Sequence, residues 1–137
     1  MPVKSTTFQL KTQGFSDVHD ITGRVRDFIS ASKVDEGAVL IFVPGSTAGI
    51  TTIEYESGAV ADLQKAIERL APESIHYDHD ARWGDGNGFA HVRSALLGPS
   101  LTIPVADGQL QLGTWQQIVL IDFDNRPRNR EVIIRIL

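Results

Sequence analysis

From Ser100 to the C-terminus the chain reads as one strand after another. SLTIPV, QLQL, TWQQIVLIDF and EVIIRIL are separated by Asp107-Gly108 and by the polar tip DNRPRNR. This succession constrains the fold more than any other feature. Asp-Gly between alternating apolar residues suits a tight hairpin, because both residues tolerate the left-handed backbone that such turns need. Hairpins build antiparallel sheet, whereas a parallel sheet needs long crossovers that this half of the chain does not contain.

The first half adds helices. VKSTTFQLKT (3–12) alternates β-branched and polar residues, as a half-buried strand does. In SDVHDITGRVRDFISAS, Val18, Ile21, Val25, Phe28 and Ile29 recur at helical spacing, with Ser16 or Asp17 placed to cap. AVLIFVPG (38–45) is an apolar run that suits a strand buried on both faces, and ITTIEY (50–55) suits another. Val60, Leu63, Ile67 and Leu70 form one stripe of a helix from Ser57 to Ala71, ended by Pro72. HYDHDARWGDGNG has no periodicity, and FAHVRSALLG then predicts a short helix closed by Gly98. The expectation is one α+β domain over residues 1–137, largely antiparallel, with two to three helices.

Several function classes fall away on composition. A formal charge of −4 on 137 residues does not suit the basic face that a nucleic-acid binder needs. Arg126, Arg128, Arg130 and Arg135 are the one basic cluster, and they read as a solvated hairpin tip and the strand after it. With no cysteine, disulfides and thiolate sites are excluded, and any metal must be held by His, Asp or Glu. No stretch approaches the about 18 apolar residues of a membrane span, and the N-terminus lacks a signal peptide's apolar run. A cytoplasmic location is the expectation.

Three segments gather chemistry. His76, His79 and His91 sit with Asp78, Asp80 and Asp85 in one irregular stretch, where glycines let backbone approach a ligand. The spacing HxxH…(x11)…H matches no specific metal motif, and local turn capping by the aspartates is the competing reading. PGSTAG (44–49) carries Ser46 and Thr47 in a turn that could present N–H groups to an anion, or simply connect two strands. Glu54 and Glu56, downstream, share a face at strand spacing. In LGTWQQ, Trp115 could stack on a flat heterocycle and Gln116 could offer it a donor and an acceptor, or Trp115 could belong to the core. No serine has a nucleophile-elbow context.

SLTIPVADGQLQLGTWQ, preceded by LLGPS and followed by QIVLIDFD, goes beyond generic pattern. Together with NGFAHVRSALLGPS, it resembles the signature of the YjbQ-like family, UPF0047, over essentially the whole chain. The resemblance implies a trimer with clefts between subunits and, as for some members, a weak or secondary thiamine-phosphate synthase-like activity. That reaction joins an aminopyrimidine carried on pyrophosphate to a thiazole phosphate. The matching positions are His79, His91 and the Gly113-Thr114-Trp115-Gln116 run. Many relatives carry a His-Thr pair where this chain has Gly45-Ser46-Thr47; if that histidine holds a metal or phosphate, Ser46 cannot fully replace it, and either the site is weaker here or Glu54 completes it. WGDGNG also departs from the pattern.

On this reading His79, His91 and Glu54 are the catalytic candidates, and His79, His91 and Asp80 would hold a divalent Zn, Mg or Mn. Ser46, Thr47, Arg82, Asn87 and the Gly113–Gln116 run would contact a phosphorylated small molecule, with Trp83 or Trp115 stacking and Arg82 or Arg93 on the phosphate. The same ligands would serve metal-assisted hydrolysis of a phosphate ester. A trimeric module that binds a metabolite or metal without turnover is the non-enzymatic alternative.

Overall fold

The computed structural model describes residues 4–137. Val3, where the first predicted strand begins, lies outside them. The elements run β1 (Ser5–Thr12), β2 (Asp17–Asp20), α1 (Thr22–Ser32), β3 (Gly37–Phe42), β4 (Ala48–Ile53), α2 (Ser57–Leu70), α3 (Asp78–Trp83), α4 (Gly88–Leu97), β5 (Ser100–Ala106), β6 (Gln109–Leu110), β7 (Gln117–Asp122) and β8 (Arg128–Ile136). One sheet has the order β1-β8-β3-β5-β6 and the other β2-β7-β4, and every pairing is antiparallel. The α+β class expected from sequence is the class observed.

β7 is the organising strand. Its register sets Asp122 opposite both Asp17 and Ala48, so it is flanked on each side and buried along its length. Because side chains alternate across a strand, its residues serve two cores. Ile118 and Leu120 join Val25, Phe28 and Ile29 of α1 with Val39, Ile41, Ile103, Val105, Val132 and Ile134 of the larger sheet. Val119, Ile121 and Phe123 point the other way, against Phe89 and Ala90 of α4 and the half-buried Leu63 and Ile67 of α2. Each such side chain contributes roughly 1.5–3 kcal/mol when fully buried.

Continuing the inward face of β7 past Leu120 brings Asp122 and then Asp124. Continuing that of β8 back from Val132 brings Arg130 and Arg128. The core therefore ends in a buried ionic seam that ties the two sheets. Arg130 Nε and Nη2 donate to the two oxygens of Asp122 at 2.6 and 2.9 Å, and the Thr12 hydroxyl donates to the same carboxylate. Arg130 is 8% exposed, so the solvated hairpin tip expected for these arginines is wrong for it. The inward parity it shares with Val132 takes it into the seam. Gly14 permits the closure: its φ is +83°, and a Cβ there would lie 2.3 Å from the Asp124 carbonyl oxygen.

Several boundaries differ from the sequence expectation. Asp17–Asp20 is a strand rather than the first turn of α1, because β7 offers it an unpaired edge. Helix α1 starts at Thr22, whose N–H donates to Asp20 Oδ1, so neither Ser16 nor Asp17 caps it. β4 ends at Ile53, and Glu56 caps α2 by accepting from Gly58 and Ala59. Those backbone bonds hold the Glu56 carboxyl below its ordinary pKa. Glu54 and Glu56 are thus not a strand-face pair. Thr114, Trp115 and Gln116 precede β7 rather than forming its head, and Trp115 is 73% exposed, outside either core. Among the described residues helices number four, because part of the aperiodic stretch winds into the short α3.

Candidate metal centre

α3 and α4 form the two walls of the His/Asp stretch. The chain turns between them at Gly84–Asn87, and Gly88 lets them approach: a Cβ at Gly88 would lie 2.5 Å from Tyr77 Cβ. Tyr77 is itself fixed by its hydroxyl, which donates to the Pro72 carbonyl at 2.7 Å. Burial pushes its phenol above the ordinary pKa. The close approach sets the ring of His79 on α3 against that of His91 on α4, with centroids 4.4 Å apart.

Ligand atoms of His79, Asp80 and Asp85 all lie within 4.8 Å of one another. His79 Nδ1 is 3.3 Å from Asp85 Oδ1 and 3.9 Å from Asp80 Oδ1. Neither approach has hydrogen-bond geometry, and the buried Nδ1 has no hydrogen-bond partner. Donor atoms about 2.1 Å from a common tetrahedral ion would stand about 3.4 Å apart, so small rotations suffice to close this set on one cation. A neutral imidazole nitrogen and two carboxylates suit a Zn or Mn ion, and two carboxylates alone suit Mg. The aspartates also have structural work. Asp80 Oδ1 accepts from Gly88 N at 2.8 Å and Asp85 Oδ1 from Asn87 N at 3.2 Å, bracing the start of α4. These bonds orient the carboxylates and leave each an oxygen to spare.

Asn87 connects this cluster to the seam. Its Oδ1 accepts from Asn125 N at 3.1 Å, and Asn125 Nδ2 donates to the Asp85 carbonyl at 2.8 Å. One residue back, Asp124 Oδ2 accepts from the Thr47 hydroxyl at 2.9 Å and from Arg128 Nε at 3.0 Å. Burial alone would raise the Asp124 pKa. The hydrogen bonds from Thr47 and Arg128, with the charge of Arg128, outweigh burial and hold it below the ordinary carboxylate value. Its other oxygen, Oδ1, is buried without a partner.

The residues singled out in the sequence thus divide between two ends of β7. His79, Asp80, Asp85, His91, Asn87 and Thr47 gather near its C-terminal end, with Ser46 exposed on the same turn as Thr47. Arg82 is exposed one turn after His79, its guanidinium 5.3 Å from the Trp83 ring centre. Glu54, Thr114 and Trp115 line a separate cavity of about 450 Å³ at the other end, with Asp20, Tyr55, Glu56 and Gln117. Gln116 accepts from Gly113 N and donates to Thr52, bracing that turn. Within one chain, Glu54 therefore does not complete the histidine cluster. Arg93 is not free for a phosphate: it is buried, donating to the Ala71 carbonyl and Ser16 and paired with Glu68. Asp85 was absent from the expected ligand set, and its signal was its place at the turn that returns the chain to His91.

The family described as UPF0047 protein YjbQ-like matches residues 6–137. A UPF0047 protein of Archaeoglobus fulgidus is 38% identical over 128 residues, covering 93% of this chain and 97% of its own. YugU of Bacillus subtilis, also a UPF0047 protein, is 37% identical over 132 residues, covering 96% and 97%. Among solved structures, the hypothetical protein APE1520 of Aeropyrum pernix superposes with a TM-score of 0.91 at 31% identity, covering 98% of each chain. A YbjQ-like protein of unknown function from Sulfolobus solfataricus superposes with a TM-score of 0.88 at 30% identity, covering 97% and 96%.

Proposed function

The chain belongs to the YjbQ-like UPF0047 family, and from that premise we propose that it binds a divalent cation through His79, Asp80 and Asp85 to act on a phosphorylated small molecule. The observation that carries this reading is the buried, unpartnered Nδ1 of His79 between two carboxylates. A divalent cation bound there would supply charge neutralisation for a phosphate or pyrophosphate group. His91 packs on the His79 ring and fixes its plane, as a supporting residue does for a ligand histidine. Arg82 is exposed and one turn from His79, which suits it to contact phosphate oxygens outside the ligand set. Trp83, beside it, offers a flat face to a heterocycle.

Release of pyrophosphate on joining an aminopyrimidine to a thiazole phosphate is the finer form of this reading, and it rests on the family resemblance. Metal-assisted hydrolysis of a phosphate ester uses the same groups, with water in place of the second heterocycle. The two separate in one assay. The aminopyrimidine pyrophosphate is supplied with Mg, Mn or Zn, with and without the thiazole phosphate, and pyrophosphate and phosphate are followed. Pyrophosphate that appears only with both heterocycles, and is lost in Asp85→Asn, supports transfer. Turnover with one substrate alone supports hydrolysis. Cation binding without turnover of either would leave a binding module.

A further inference from the structure

At the opposite end of β7 from the metal centre, a cavity of about 490 Å³ opens between α1 and the β5–β6 hairpin. Its volume falls in the range of small-molecule sites, about 300–1,000 Å³. Among the described residues, Arg26 is the only charged side chain that lines it. Among the described residues, no carboxylate comes within ion-pairing distance of that guanidinium. Ser30, four residues on, shares its helix face, and Thr114 stands across the cavity. Between them Ile29, Leu110 and Leu112 make an apolar floor continuous with the main core.

We propose that this cavity is a second ligand site, which takes a small organic monoanion bearing one carboxylate. The donor inventory selects that class. The backbone N–H groups of Gly108 and Gly113, which also line the cavity, are already committed to the Asp35 carbonyl and to Gln116 Oε1. What remains is one guanidinium, two hydroxyls and the Gln109 side-chain amide, of which only the guanidinium carries charge. A guanidinium meets a carboxylate fork to fork, with one charge against one charge. A phosphate monoester near neutrality brings close to two negative charges and three acceptor oxygens, for which a single cation is a poor match.

The site shares no residue with the metal centre, so its test stands apart from the proposed activity. Amide NMR spectra of the full chain are titrated with benzoate, with its neutral analogue benzamide and with phenyl phosphate. Arg26 is exposed and unpaired, so Arg26→Gln leaves the fold intact, and Ser30→Ala provides a second variant. The expected result is saturable benzoate shifts at Gln109, Leu112 and Thr114, weakened at least tenfold in Arg26→Gln, with no saturation by benzamide. Three results would overturn the proposal: no saturation by millimolar benzoate, equal benzoate affinity in Arg26→Gln, or tighter binding of phenyl phosphate than of benzoate.

Discussion

His79 Nδ1 and Asp85 Oδ1 stand 3.3 Å apart without forming a hydrogen bond. A protein that used this pair only to brace the turn would align donor and acceptor, because an unmade bond at a buried nitrogen costs about 1–3 kcal/mol. Two atoms held close but out of line are what ligands of a common third centre look like. The same two side chains are only half buried or exposed, so their removal should affect ligand binding more than folding.

Gly88→Ala tests whether the helix approach builds the site. The added Cβ would meet Tyr77 backbone-proximal atoms at 2.5 Å, so α3 and α4 must separate. Overpacking of this kind costs about 1–3 kcal/mol. The variant is expected to lose stability in that range by urea denaturation and to bind cation more weakly. Unchanged cation affinity would show that the His79–His91 packing is incidental.

The ionic seam predicts a large effect from a single change. Arg130→Met keeps most of the side-chain volume but leaves the fully buried Asp122 carboxylate without its partner. Breaking one side of a buried pair costs about 3–5 kcal/mol. A loss below about 1 kcal/mol in equilibrium unfolding would mean that the seam is weakly coupled to folding.

Asp124 gives the chain an acid sensitivity of definite sign. Its folded pKa lies below the ordinary value of 3.8. A depressed carboxyl stabilises the fold fully above the unfolded pKa, and the contribution is lost as pH falls through the folded value. Stability should therefore decline as pH falls from near 4 and below, with a shallower decline in Asp124→Asn. Parallel pH profiles for the two proteins would assign the acid sensitivity to other groups.

Trp115 offers the reverse case. It is 73% exposed, so Trp115→Ala should change stability by no more than about 0.5 kcal/mol. Its fluorescence should resemble that of a solvated indole. A loss of several kcal/mol would place the ring in a buried contact.

The strands were legible because apolar alternation and Asp107-Gly108 are local signals, and the helices α1, α2 and α4 because their apolar stripes are too. The short α3 was not, since its six residues, DHDARW, are too few and too polar to carry a stripe. β2 was misread for a related reason. Val18 and Ile21 fit helical spacing, and only the edge of β7 decides for a strand. At the site, His79 and Asp80 stood out by composition, whereas Asp85 needed the turn geometry. The pairing of Arg130 with Asp122 joins two sheets, which no local pattern reveals.

The most direct measurement of the central claim is calorimetric titration of the metal-stripped chain with Zn and Mn, beside His79→Ala and Asp85→Asn of verified fold. One cation per chain is expected for the natural sequence, with at least a tenfold loss of affinity in each variant and unfolding midpoints little changed. Equal affinity in all three proteins, or no saturable binding in any, would contradict it.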